Sequence, residues 1–185
     1  MINKSIAFVG AMGVGKTSVA KRVSEVLGMP YVDIDELRWD YFSKQPDYDN
    51  ELVETLFDNS KEVEAFSYLK PFEARLVADF LEEIRNAVFD FGAGYSVYED
   101  EMLFSKVKSA FSFCETVILL RYSDDADEGL AALQKRHPDV ADNLYNALNR
   151  VFIESPCNIA LATHVIDTKD KTVDEIVDSA LSIVR

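Results

Sequence analysis

The sequence predicts a single α/β domain in which a parallel sheet is covered by helices on both faces. Three observations carry this reading. Apolar, strand-like runs alternate with amphipathic segments along the chain, the pattern of parallel strands joined by crossover helices. The first strand-like run, Ser5 to Val9, is joined to a helical segment by a glycine-rich loop. No linker, internal repeat or low-complexity tract divides the 185 residues, a length that one hydrophobic core can serve.

Taken in order, Ser5 to Val9 is a short apolar run suited to a buried strand. Thr17 to Leu27 reads as a helix, because Val19, Ala20, Val23 and Leu27 fall at helical spacing and Gly28 supplies a stop. Further strands are expected at about 31–34, 87–91, 116–121 and 164–167. Two or three helices lie between the second and third. The last of these runs from about Glu62 to Ile84, with Val63, Phe66, Leu69, Leu76, Phe80, Leu81 and Ile84 near one face. Pro71 inside it should kink the helix or begin a new one. The acidic group Asp124, Asp125, Asp127 and Glu128 sits at the start of a predicted helix, where negative charge offsets the dipole. In the closing helix Thr172 and Glu175 form a capping box, and Ile176, Val177, Ala180, Leu181 and Val184 form the buried stripe.

Composition narrows the partners. With 19 basic and 33 acidic residues the formal charge is −14. Nucleic acid and anionic membranes reward clustered Lys and Arg, so neither is an expected partner. No apolar run is long enough to span a bilayer, and the chain enters its first strand without a leader pattern, so the cytoplasm is the expected compartment. Cys114 and Cys157 stand in no metal-ligand spacing and read as buried, reduced thiols.

The chemistry begins at Gly10-Ala11-Met12-Gly13-Val14-Gly15-Lys16-Thr17, which fits the phosphate-loop pattern. Gly10, Gly13 and Gly15 allow the backbone to curl so that successive N–H groups, through Val14 to Ser18, point into one nest. The following helix adds its positive N-terminal end. Lys16 is placed to reach the β- and γ-phosphates of ATP, and the Thr17 hydroxyl to ligate Mg²⁺. After the second strand come Asp33 and Asp35. Both stand at the carboxyl end of a strand, where open parallel sheets bind ligands. One of them can instead cap the helix beginning near Glu36.

Phe8 to Thr17, followed by Leu27-Gly28-Met29-Pro30-Tyr31-Val32-Asp33-Ile34-Asp35, resembles the shikimate kinase family. The resemblance implies a three-layer P-loop fold with strand order 2-3-1-4-5, a small lid at about 123–155, and phosphoryl transfer from Mg·ATP to a small-molecule hydroxyl. It gives Asp33 the metal-side role and Asp35 the substrate-side role, consistent with an acceptor hydroxyl held in line and relieved of its proton. The family's glycine triplet is matched by Gly92-Ala93-Gly94, and Asp90 just before it is either an extra metal-side carboxylate or a solvated strand end. The lid motif is matched by Gln134-Lys135-Arg136-His137-Pro138, with Arg136 one place out of register. Arg136 is either the arginine that closes over ATP or an ordinary helix-end cation.

Two family motifs are altered. The arginine that holds the substrate carboxylate is replaced, in Leu69-Lys70-Pro71-Phe72-Glu73, by Lys70. The family's Arg-x-Pro-x-Tyr is matched by Glu154-Ser155-Pro156-Cys157-Asn158, with Arg150 one turn earlier as a substitute. Neither Lys nor Glu reproduces an arginine fork on a carboxylate. By the family resemblance alone, shikimate is the leading named acceptor, with a sugar acid or nucleoside as another. A nucleotide-binding regulatory protein without catalysis is the competing reading. His137 and His164 have no nucleophile or metal partner in sequence, and His164 reads as structural. A monomer or weak homodimer is expected.

Overall fold

The computed structural model describes residues 4–138 and 143–184. Five strands form one sheet: β1 (Ile6–Val9), β2 (Tyr31–Asp33), β3 (Val88–Asp90), β4 (Thr116–Arg121) and β5 (His164–Asp167). Their order is β2-β3-β1-β4-β5, and every pairing is parallel. This is the order the resemblance implied.

β1, β3 and β4 alternate their side chains between two cores. Ala7, Val9, Phe89, Val117 and Leu119 belong to one cluster, packed with Leu76 and Val77 of α4 (Glu62–Glu83) and Val107 of α5 (Glu101–Phe111). Ile6, Phe8, Val88, Ile118 and Leu120 belong to the other, with Val19 and Val23 of α1 (Lys16–Leu27) and Ile176 and Ala180 of α9 (Val173–Val184). β1 has a core on both sides, and all four of its residues are buried. Burying one such side chain contributes about 1.5–3 kcal/mol.

Three helices lie between β2 and β3: α2 (Ile34–Ser43), α3 (Asn50–Asp58) and α4. α4 is a single helix through Pro71, so no new helix begins there. Leu69, Phe72 and Ala74 are buried on either side of the exposed proline, and their packing holds the helix together across the missing hydrogen bond. Two details of its face differ from the periodicity. Val63, in the first turn, is 66% exposed, whereas Glu73 is buried at 8%.

The carboxyl side of the sheet carries a short 3₁₀ helix (Ala93–Ser96), then α6 (Ala126–Arg136), α7 (Asn143–Glu154) and α8 (Pro156–Leu161). The expected lid, 123–155, coincides with α6 and α7, and its residues 139–142 lie outside the described ones. The acidic group at the start of α6 has structural partners. Asp125 caps the helix by accepting from Glu128 N–H, Asp127 pairs with Arg150, and Glu128 pairs with Lys169. The Thr172–Glu175 capping box is formed in both directions. Cys114 and Cys157 are free and buried, and burial pushes the Cys114 thiol up to about 12. No helix among the described residues is long and apolar enough to cross a membrane.

Candidate active site

The strand register places the site. Asp33 of β2 lies opposite Asp90 of β3, and Asp90 lies opposite Phe8 of β1. The glycine loop leaves β1 just beyond Phe8, so its lysine and the two aspartates emerge at one edge. Gly10, with φ of 139°, approaches β4 so closely that a Cβ would lie 2.2 Å from the Leu120 carbonyl oxygen. Only glycine fits there.

Gly15 precedes α1 without a side-chain cap, so the first amides of the helix are left for an anion. Val14 is buried at 1%, while Thr17 and Ser18 are exposed in the first turn. Lys16 is folded over its own loop and donates to the carbonyls of Gly10 (3.0 Å) and Ala11 (2.9 Å). Burial lowers its pKa to about 8, against the opposing pull of Asp90 and Asp35.

Asp33 has two tasks. Its Oδ1 accepts from the N–H groups of Asp35 (3.0 Å) and Glu36 (3.3 Å), capping α2. Its Oδ2 lies 3.1 Å from the Tyr31 hydroxyl, which also lies 3.0 Å from Asp90 Oδ2. The two carboxylates therefore share one phenol proton, and burial with both of them raises the phenol pKa. Asp90 is only 5% exposed; it is not a solvated strand end.

Asp35, in the first turn of α2, lies against the small loop: a Cβ on Gly92 would be 2.7 Å from its Oδ2. It accepts from Arg38 Nη1 at 3.0 Å. Its side chain keeps 52% of its surface, yet loss of hydration raises its pKa, opposed by Arg38, reinforced by Asp33, opposed by Lys16 and reinforced by Asp90. Lys70 reaches the same loop and donates to Gly94 O (2.7 Å) and Glu73 Oε2 (2.8 Å). Ala93 is buried.

Lys16, Asp33, Asp35, Asp90, Lys70 and the 92–94 loop thus form one group. Arg150 is held apart from it, donating to Glu154 (2.8 Å) and Asp127 (2.9 Å). Arg136, exposed in the last turn of α6, lines a cleft of about 280 Å³ with Gly13, Gly15, Ser18 and Lys171.

Several contacts had escaped the sequence reading. His137 Nε2 lies 3.1 Å from Gly13 O, and Asn149 Oδ1 accepts from Met12 N–H at 2.8 Å. Neither has a signal in sequence spacing, since the contacts join residues far apart in the chain. Arg38 does: it stands three residues after Asp35 on a helix, where side chains meet.

A family model described as shikimate kinase matches residues 12–185. The chain belongs to the shikimate kinase family. This family member is 23% identical to shikimate kinase of Persephonella marina over 98% of this chain and 99% of the relative. It is 22% identical to that of Dictyoglomus turgidum over 100% and 99%. Its fold matches shikimate kinase from Acinetobacter baumannii in complex with shikimate, with a TM-score of 0.68 at 18% identity over 98% of this chain and 93% of that one. A gluconokinase from Sinorhizobium meliloti matches at 0.57 and 17% identity, over 100% and 93%. The shikimate kinase family member is an ATP-dependent small-molecule kinase.

Proposed function

We propose that this shikimate kinase family protein transfers the γ-phosphoryl group of Mg·ATP to a hydroxyl of a free small metabolite, with shikimate the first acceptor to test. The observation that carries the reading is the position of Lys16. Its ammonium stands on the phosphate loop and within electrostatic reach of Asp35 and Asp90, so phosphate cation and acceptor-side carboxylate share one site.

In this reading the loop amides from Gly13 to Ser18 and the Lys16 ammonium hold the phosphates. Thr17 and Asp33 would hold Mg²⁺, and both present the oxygen donors that a hard cation takes. When bound, that ion neutralises charge on the β- and γ-phosphates. Asp35 orients the acceptor hydroxyl and accepts its proton, a task for which a raised carboxyl pKa is suited. The Gly92-Ala93-Gly94 loop and Lys70 border the acceptor, and Arg136 stands at the rim of the nucleotide cleft, where a cation stabilises the transferring phosphoryl group. Arg150 serves the acceptor only if its pairs with Asp127 and Glu154 open. The net charge of −14 supports action on a free metabolite rather than on nucleic acid or an anionic membrane, and the proposal places that action in the cytoplasm, by a monomer or weak homodimer.

The test is ADP release measured with and without a panel of small hydroxylated metabolites, shikimate included. Turnover that rises with one acceptor supports the proposal. ATP binding with no acceptor-dependent turnover across the panel would favour a regulatory nucleotide-binding protein.

A further inference from the structure

The charges around Asp35 bear on the class of acceptor, an inference that rests on the phosphotransferase reading above. Lys70, Arg75 and Arg38 each already face a carboxylate. Lys70 is held by the buried Glu73 carboxylate and Gly94 O, and Arg75 forms a fork on Asp47 with two contacts of 2.9 Å. Arg38 meets Asp35 through Nη1. An anionic acceptor drawn to Lys70 or Arg75 would have to break that pair and leave a carboxylate without its partner.

The same strip is rich in groups that recognise alcohols. Tyr95, 2% exposed, lies against Gly92 beside Asp35, and a Cβ on Gly92 would meet both its ring and that carboxylate. Tyr98, 6% exposed, has its ring 4.9 Å from Lys70 Nζ. Among the described residues, the Tyr98 hydroxyl is buried without a hydrogen-bond partner, and the buried Tyr95 hydroxyl is turned toward the Arg38 side chain. Hydroxyls donate and accept, as alcohols do, and the Glu73 carboxylate accepts.

We propose that Tyr95, Tyr98 and Glu73 form an acceptor subsite for an uncharged polyhydroxylated molecule, a polyol of the sugar or cyclitol type, which presents one hydroxyl to Asp35. The subsite reads hydroxyl groups, and the paired Lys70 keeps Glu73 in place rather than attracting an anion.

The experiment measures binding to the full chain by calorimetry, with Mg²⁺ and a non-hydrolysable ATP analogue present. The ligands are matched pairs differing in one carboxylate: shikimate and the alcohol made by reducing its carboxyl group, gluconate and glucitol, glucuronate and glucose. At least one neutral member should bind about tenfold or more tightly than its acid, the weight of one charge-assisted hydrogen bond. Glu73→Gln frees Lys70 and should narrow or reverse that preference. Tyr98→Phe should weaken the neutral ligand by about tenfold and leave the affinity for the ATP analogue within a few-fold. Acids binding as tightly as their alcohols in every pair would overturn the proposal, as would no neutral member binding at millimolar concentration. ADP release with ATP and the tightest binder tests the chemistry separately. A polyol bound tightly but never phosphorylated supports the subsite and overturns the phosphotransferase reading.

Discussion

Asn149 grips Met12 by both of its backbone groups, accepting from the N–H at 2.8 Å and donating to the carbonyl at 3.3 Å. Asn149 is fully buried in α7, and Tyr145, one turn earlier, also donates to Met12 O at 3.2 Å. α7 therefore sets the path of the phosphate loop through the loop's own peptide groups.

Asn149→Leu should weaken ATP binding by about ten- to a hundredfold, because leaving the part-buried Met12 backbone groups unmatched costs about 1–3 kcal/mol. Equilibrium ATP binding and a thermal melt, run together, check this. A lowered Tm with unchanged ATP affinity would show that α7 only packs against the loop.

Lys16→Ala should abolish tight ATP binding while the fold persists, since the ammonium bonds the loop and not the cores. In the unmodified protein, affinity should be full below pH 8 and fall as pH rises through about 8, where the free protein's Lys16 loses its proton. Bound phosphate favours the charged form, so the loss is read in the binding constant of the free protein. ATP titrations between roughly pH 7 and 9.5 test the sign; an affinity that held flat would remove Lys16 from the triphosphate.

Asp35→Asn should keep ATP affinity within a few-fold and slow phosphoryl transfer by roughly a hundredfold or more. Asp33→Asn should weaken Mg²⁺-dependent nucleotide binding most. It should also lower Tm somewhat, because the altered side chain keeps a capping oxygen but loses the charge at the start of α2. Equal losses of ATP binding in both variants would collapse the division of labour between the two carboxylates.

Gly10→Ala should destabilise the protein by several kcal/mol, with φ of 139° and a methyl 2.2 Å from Leu120 O acting together. Chemical denaturation measures it. Wild-type stability in this variant would mean that β1 and β4 separate easily at their carboxyl ends.

How much of this was legible depended on how local the cause was. The phosphate loop declares itself because Gly10, Gly13, Gly15, Lys16 and Thr17 act through the backbone between one strand and one helix. The strands followed from apolar runs, and their order from the family resemblance. The acceptor side was far less readable. Lys70 finds Gly94 across 24 residues and Tyr31 finds Asp90 across 59, and no periodicity reports such meetings. Pro71 left two outcomes open, and packing of Leu69 and Phe72 keeps α4 one helix against a helix-breaking preference. Asn149 was hidden because its value lies in being a polar residue on a buried face, visible only once Met12 is seen opposite.

The sheet also divides the molecule's liabilities. Ala11, Val14 and the buried face of α1 belong to one cluster, while Ile34, Phe91, Tyr95 and Tyr98 belong to the other, with the strands between them. Substitutions that reshape the acceptor side fall on one core and leave the packing beneath the phosphate loop untouched. A lineage with this plan can exchange one substrate for another at the expense of half its interior, while its use of ATP passes through the change intact.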